Sequence, residues 1–349
     1  MLPAFRSRFS VLGYCGLLAV LFCLPLVTSW IGHSSREQAY AGLSNDAGRI
    51  GQQTSAIFGK SPDADVLFLG SSMLKAGVDL PLIEQALSAH LGRPAHVEVL
   101  GMNWQGMDLQ YFLLRDYLNT HQAGLIIWNP PVPGSRILEP HIMAYRWVRF
   151  GEYSDALSGL SLRYRVALYG DMVFGAPREL LSHIRPNLLG AKELKPEPRY
   201  LMSGYYGADF VPEPVDSTAP FPLEQSYEDP PYNFVYSKKK PLNSYQAHFA
   251  KKILQLAEEK HAGFALLHIP IDSEQGLNYM PELDNWASAL HTDAPMIGVT
   301  SATLFKNVDR VRFYHYYKDQ HFNVNGKMLF TRSIIPAILK AYDERDKHE

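Results

Sequence analysis

The sequence predicts an α/β fold in which helices cover a central parallel β-sheet, preceded by one N-terminal transmembrane helix. Short, continuous apolar runs alternate with segments of helical periodicity, a pattern typical of parallel strands buried on both faces. The run from Phe9 to Ile31 contains no charged residue, and its length matches the roughly 20 residues that span a bilayer. With 349 residues, 46% of them hydrophobic, the chain can bury one large core, or one core plus a subdomain.

The N-terminal run predicts a membrane anchor that leaves the rest of the chain outside the cytoplasm. Arg6 and Arg8 precede the run, and a basic flank favours the cytoplasmic side. A cleaved signal peptide is the alternative, but its apolar core usually has about 7–15 residues, and the small-x-small pattern Ala39 to Ala41 lies well beyond the run. We expect residues 1–33 to be an anchor in the bacterial inner membrane, with a linker over residues 34–60 and a periplasmic or extracellular domain.

Composition argues against several classes of function. Both cysteines, Cys15 and Cys23, fall inside the apolar run, so residues 32–349 offer no thiolate for zinc binding or catalysis. The net charge of −2 lacks the basic excess of a nucleic-acid-binding surface. His315 and His321 lack the spacing of a zinc-binding helix, and no glycine-rich nucleotide loop follows a strand. We expect no metal, no cofactor and no nucleic-acid partner.

Four apolar runs predict the strands of the sheet. They are Val66 to Leu69, His96 to Leu100, Gly124 to Asn129 and Gly263 to His268. The helical segments between and after them are Leu80 to Leu87, with Asp79 as cap and Pro81 in the first turn, Met107 to Asn119, Tyr245 to Lys260, and a last helix starting at Asn325-Gly326. The domain over residues 60–349 therefore alternates strands and helices on both sides of one interruption.

That interruption is a predicted insertion at about residues 131–243. Its first part, roughly 142–184, has helical periodicity, and the remainder is rich in proline and tyrosine. Long loops in compact domains are often functional. The tyrosines either line a carbohydrate groove or hold the loop against the body of the domain.

Polar and glycine residues follow the ends of the predicted strands, where parallel sheets bind their ligands. These residues are Ser71, Ser72, Gly101, Gly106 and Asn129. His321 lies just before the last helix, from which it can reach the same edge of the sheet. A serine becomes a nucleophile when a positioned base removes its proton, and that base is commonly a histidine oriented by a carboxylate. We therefore predict Ser72 as nucleophile, His321 as base and Asp319 as the residue that orients it, with Ser71 hydrogen-bonding within the turn.

The segments that contain these residues resemble sequence blocks of the SGNH (GDSL-type) hydrolases. "LFLGSSM" is similar to the first block, with Ser72 at the nucleophile position, and "DQHFNVNG" is similar to the block that carries the base. "LGMNWQGM" resembles the second block, whose backbone N–H group contributes to the oxyanion hole, which implies that role for Gly101 or Gly106. The resemblance covers about residues 60–130 and 245–345 and implies a three-layer α/β/α sandwich.

Four features depart from the family pattern, and the first is the different glycine spacing of the second block, so that Gly101 or Gly106 could be the donor. Ser71 replaces the usual aspartate of the first block, and Lys318 stands where the family places the acid three residues before the base. A Ser–His dyad without an acid is the alternative to Asp319. The third block, Gly-x-Asn-Asp, is absent, and Asn129 is the nearest strand-end asparagine that could serve the oxyanion hole.

Membrane-anchored chains with "GSS" and "HFN" blocks look like accessory proteins of cell-envelope O-acylation, of the lipoteichoic-acid D-alanylation or alginate O-acetylation type. The resemblance implies a serine-dependent O-acyltransferase or esterase that forms an acyl-serine intermediate. Its expected partners are a multi-span membrane-bound O-acyltransferase and a cell-envelope polysaccharide. Two alternatives stay open: an anchored periplasmic esterase or lipase without glycan transfer, and a non-catalytic envelope-assembly or glycan-binding protein on a decayed hydrolase fold.

Overall fold

The chain divides into two compact units in a computed structural model. The first contains Met1–Asn45 and Glu139–Leu194, and the second contains Asp46–Leu138 and Lys195–Glu349. The structure describes residues 7–31, 37, 50–101, 106–131, 158–170, 173, 242–271, 274, 276–306 and 321–345. The predicted boundaries between anchor, linker and catalytic domain stay a prediction.

The first unit contains two described helices. Helix α1 spans Arg8–Ile31, and a second helix over residues 162–170 lies within the predicted helical segment. The Tyr169 hydroxyl donates to the Phe22 carbonyl oxygen at 2.6 Å. Within the residues described, no helix is long and apolar enough to cross a membrane. That finding lends no support to the predicted anchor, which stays a prediction, and the tyrosines of residues 200–236 lie outside the described residues.

The second unit is built on a parallel sheet, as the alternating pattern predicts. Its five strands have the order β2-β1-β3-β4-β5, and every neighbouring pair is parallel. The strands are β1 Ala64–Gly70, β2 Val97–Gly101, β3 Ala123–Trp128, β4 Gly263–Leu267 and β5 Met296–Ile297. From β1 the chain moves outward to β2 and then returns to β3, so the carboxyl ends of β1 and β3 form the switch point where such sheets bind ligands.

Helices lie on both faces of this sheet. They are α2 Ile50–Phe58, α3 Ser72–Gly77, α4 Leu80–Leu91, α5 Met107–Leu118, α6 Ser244–Glu259, α7 Pro281–Leu290, α8 Ser301–Leu304 and α9 Val324–Glu344. Val66 and Phe68 of β1 face the core that includes residues of α3, α4, α8 and α9. On the other face, Trp128 packs edge-on against Trp286 of α7 at 5.1 Å between ring centroids.

Most predicted elements are confirmed, and their capping chemistry explains their bounds. The Asp79 carboxylate accepts the N–H of Leu82 at 3.1 Å, so α4 begins after the predicted cap. The predicted start of the last helix at Asn325 is wrong by one residue. The Asn323 side chain accepts the N–H of Gly326 at 2.9 Å, which makes Asn323 the cap and starts α9 at Val324.

The sequence analysis missed the short elements. Helix α3 has six residues and β5 has two, which is too short for a periodic pattern to develop. Helices α2, α7 and α8 were also not predicted. The omission of α3 matters most, because Ser72 begins that helix rather than occupying a simple turn.

Candidate active site

Strand β1 carries Ser72 to the carboxyl edge of the sheet. The strand is buried through Gly70, after which Ser71 caps α3 and Ser72 is its first residue. A Cβ atom on Gly70 would lie 2.9 Å from Leu74 Cδ2 and 3.1 Å from Asn129 Cβ. These approaches are too close for any larger residue without movement of the surroundings. The glycine of "GSS" therefore lets α3 and the end of β3 close around the strand.

His321 is the described residue that reaches Ser72. Its Nε2 atom lies 3.0 Å from Ser72 Oγ, across 249 positions of sequence. His321 is 5% exposed and Ser72 is half-buried, so the histidine is largely shielded from bulk water. With its proton on Nδ1, the imidazole can accept the serine proton at Nε2, which is the geometry of a nucleophile and its general base. The structure thus brings the two predicted residues together, and their catalytic roles stay a prediction.

The residues after His321 hold it in place. Phe322 is 5% exposed, and its ring lies 5.6 Å from that of Phe330 and 6.4 Å from that of Phe305, measured between centroids. Asn323 then caps α9. Because one neighbour is buried in the core and the next begins a helix, the backbone at His321 has little freedom to move away from Ser72.

A buried threonine joins the two segments that carry the serine and the histidine. Thr331 of α9 is fully buried, and its Oγ1 atom accepts the backbone N–H of Asp79 at 2.9 Å. The same oxygen lies 3.5 Å from the carbonyl oxygen of Gly77, the last residue of α3. These contacts of Thr331 tie the histidine-bearing helix to the end of the serine-bearing helix. Close to them, burial lowers the pKa of the Lys327 ammonium group, and the Asp79 carboxylate opposes that shift.

The predicted oxyanion residues occupy the same edge of the sheet. Gly101 pairs with Gly70 at the carboxyl ends of β2 and β1, and Gly106 caps α5. Asn129 donates its backbone N–H to Leu69 O at 2.8 Å and its side-chain Nδ2 to Leu267 O at 3.0 Å. Asn129 therefore links β3 to both β1 and β4. The oxyanion role of these three residues stays a prediction.

Two further predictions concern this site. Asp319 lies outside the described residues, so its orienting role stays a prediction. The Ser71 side chain makes no capping hydrogen bond to α3, and the hydrogen bond predicted for it within the turn stays a prediction. The Ser71 carbonyl oxygen accepts the N–H of Lys75 at 3.3 Å, so this contact with α3 is made by the backbone.

Sequence analysis missed buried polar residues near this edge. Lys75 is 4% exposed and follows Ser72 by three positions in α3. His268, directly after β4, places Nε2 at 2.8 Å from Glu274 Oε2, and each of these two residues is 1% exposed. The Ser-x-x-Lys spacing was a usable signal for Lys75, but only once Ser72 is known to begin a helix. Within the described part of the chain, no cluster of three or more His, Cys, Asp or Glu residues could hold a metal ion.

Comparisons with known proteins add no family assignment. No protein-family model matches the chain, and no curated protein matches it. The class that the fold and the site define is an α/β protein with a parallel five-stranded sheet and a buried histidine against a strand-end serine.

Proposed function

We propose that this chain is a serine-dependent acyl-transfer enzyme with an SGNH-like three-layer α/β/α fold. The observation that carries the proposal is the 3.0 Å distance between His321 Nε2 and Ser72 Oγ at the carboxyl edge of the sheet. The resemblance of "LFLGSSM" and "DQHFNVNG" to SGNH sequence blocks supports the same assignment independently of that distance. Helices on both faces of a parallel sheet are compatible with the three layers.

The reaction proceeds in two steps through a covalent acyl-serine. Ser72 Oγ attacks the carbonyl carbon of an ester while its proton passes to His321 Nε2, and the carbonyl electron pair moves onto oxygen. Collapse of this oxyanion re-forms the carbonyl and expels the alcohol, which takes the proton from His321. An acceptor hydroxyl then repeats the sequence in reverse, with His321 again acting as base.

We further propose a cell-envelope setting for this chemistry. The uncharged run from Phe9 to Ile31 with its basic flank supports an anchor in the inner membrane. The absence of cysteine from residues 32–349 suits a domain on the oxidising side of that membrane. The resemblance to accessory proteins of O-acylation supports a polysaccharide acceptor and a multi-span O-acyltransferase as partner.

The first experiment tests the nucleophile. The full chain, purified in detergent, is treated with a fluorophosphonate probe, and the modified peptide is identified by mass spectrometry. We expect label on Ser72, loss of label in Ser72→Ala, and unchanged labelling in the control Ser333→Ala, whose hydroxyl is exposed on α9. A folded protein that takes no label would favour the non-catalytic alternative.

A second experiment identifies the acceptor. The purified chain is given an activated acetyl ester with and without an envelope oligosaccharide, and acetyl-oligosaccharide and free acetate are both measured. We expect slow hydrolysis alone and faster ester consumption with acylated oligosaccharide as the product. Rapid hydrolysis that the oligosaccharide does not change would support the plain esterase instead.

A further inference from the structure

We propose that Lys75 supplies a fixed positive charge that stabilises the oxyanion formed at Ser72. This inference rests on the proposed acyl-transfer function and adds a residue to it. Lys75 lies in α3, three positions after Ser72 and therefore on the same side of the helix. Side chains in a helix point back toward its N-terminus, which directs the lysine toward the turn that holds the nucleophile.

Lys75 is buried, which is unusual for this residue type. It is 4% exposed, and lysine side chains are rarely buried to this extent. Its stem lies across Gly101. The Cγ and Cε atoms are 3.5 and 3.6 Å from the position that a Cβ atom on Gly101 would occupy. The lysine therefore extends from α3 over the carboxyl end of β2.

Lys75 and the helix that follows His321 lie toward different strands of the sheet. Helices α3 and α9 pack against each other, but α3 also packs against β1 and β2, whereas α9 also packs against β3, β4 and β5. Lys75 extends toward β2, the side on which Gly101 and Gly106 are the predicted oxyanion residues. An acyl transfer needs this separation, because the serine proton leaves toward the base while negative charge develops elsewhere on the carbonyl oxygen.

A positive charge would add to the neutral donors at this edge of the sheet. Asn129 Nδ2 donates one of its two N–H groups to Leu267 O at 3.0 Å, which leaves one N–H group for an oxyanion. A cation in a water-poor site interacts with a developing oxyanion more strongly than it would in bulk water. The role proposed for Lys75 is electrostatic and includes no proton transfer from its side chain. The serine proton passes only between Ser72, His321 and the leaving or attacking alcohol.

The test compares Lys75→Met with Lys251→Met in the full chain. Methionine has a similar unbranched shape without the charge, and Lys251 is an exposed lysine on α6 that serves as the matched control. The readouts are the second-order rate of Ser72 phosphonylation, kcat and KM for an activated acetyl ester, and the melting temperature. We expect Lys75→Met to lower the phosphonylation rate and kcat by about 100-fold, the usual effect of losing one oxyanion-stabilising group. KM and melting temperature should change little, and Lys251→Met should match the wild type.

Each outcome of this test decides the role of Lys75. Phosphonylation at the wild-type rate in folded Lys75→Met overturns the inference. If Lys75→Met does not fold, Lys75→Gln replaces it, and failure of both variants to fold assigns the lysine to stability and also overturns the inference. Ser72→Ala, measured in parallel, separates the two proposals. Label retained in Ser72→Ala contradicts the proposed function itself, whereas label lost there but unchanged in Lys75→Met contradicts only the role of Lys75.

Discussion

Strand β1 carries a charged network at its amino end and leads to a Ser–His pair at its carboxyl end. At the amino end, the Asp65 carboxylate accepts hydrogen bonds from Arg93, from the His96 backbone N–H at 2.9 Å and from the Tyr342 hydroxyl at 3.0 Å. At the carboxyl end, Ser72 has His321 at 3.0 Å. The first arrangement surrounds a carboxylate with hydrogen-bond donors, and the second places a hydroxyl group against an imidazole, the two groups that we propose as nucleophile and base.

The electrostatics at Asp65 follow from these contacts. Partial burial raises the pKa of the Asp65 carboxyl, but the hydrogen bonds from Arg93, His96 and Tyr342 outweigh it and hold the pKa below its ordinary value. Burial, together with the hydrogen bond to Asp65, raises the pKa of the Tyr342 hydroxyl. We infer that the amino end contributes to stability, whereas the carboxyl end is the place for chemistry.

Helix α9 contacts the amino end of this strand and the segment that follows α3. It has 21 residues and is therefore about 31 Å long. In its first half, Thr331 accepts the N–H of Asp79, and near its end, the Tyr342 hydroxyl donates to Asp65. The comparison therefore raises the question of whether the two ends act independently. Substitutions at one end, measured for their effect on the other, test that independence.

Removing the Ser–His pair should have the largest effect on activity and almost none on stability. We expect Ser72→Ala and His321→Ala each to lower the rate of acyl transfer by about 10⁴-fold or more, with the double variant no worse than either. Single-turnover acylation measures the rates, and thermal melting checks the fold. A double variant whose loss equals the product of the two single losses would contradict the view that the pair acts as one unit.

Breaking the Thr331 contact should have an intermediate effect on activity. Thr331→Val keeps the side-chain volume but leaves the Asp79 N–H without its acceptor, which costs about 1–3 kcal/mol of stability. We expect kcat to fall by about 10-fold, an order-of-magnitude value for a displaced base, with KM nearly unchanged. Ser333→Ala is the matched control, since its hydroxyl bonds within α9 at 2.8 Å to Leu329 O. Equal kcat values in Thr331→Val and Ser333→Ala would show that Thr331 does not position His321.

Changing Asp65 should reduce stability and leave the site intact. The lowered pKa means that the ionised carboxylate stabilises the fold above the unfolded pKa of about 3.9, and that this contribution disappears as pH falls through the folded pKa. We expect Asp65→Asn to lose about 1 kcal/mol at pH 7, a modest value because Arg93 is half exposed. Urea unfolding at several pH values measures the loss, which should vanish near the acid limit.

The control for this loss of stability is Asp293→Asn, which makes the same substitution at an exposed aspartate. The Ser72 phosphonylation rate of Asp65→Asn should equal that of the wild type, since the seven residues of β1 separate the two ends by roughly 20 Å. A slower rate would show that α9 transmits changes from one end to the other.

The smallest effect belongs to Ser71. Its side chain makes no capping hydrogen bond to α3, so Ser71→Ala should keep the phosphonylation rate within about twofold and lower stability by less than about 0.5 kcal/mol. If the rate falls as far as in Ser72→Ala, or if the label is found on Ser71, then Ser71 rather than Ser72 is the nucleophile.

Local patterns were sufficient to predict most of the sheet and its longer helices. The apolar runs at β1 and β4 each end where glycine, proline or a polar turn follows, and Asp79 with Pro81 marks the start of α4. These signals depend on the solvation and backbone preferences of neighbouring residues, which are present in any short window of sequence. Helix α3 and strand β5 carry no such signal, because tertiary contacts rather than periodicity stabilise elements of six and two residues.

The sequence by itself determined the parallel α/β class and the residue types that could form a serine-based site. Only the tertiary structure decided that His321 reaches Ser72, that Asn129 donates its amide to Leu267, and that Lys75 is buried against Gly101. The physical reason is distance along the chain. Contacts across 249 positions depend on strand order and helix packing, and no local preference encodes them.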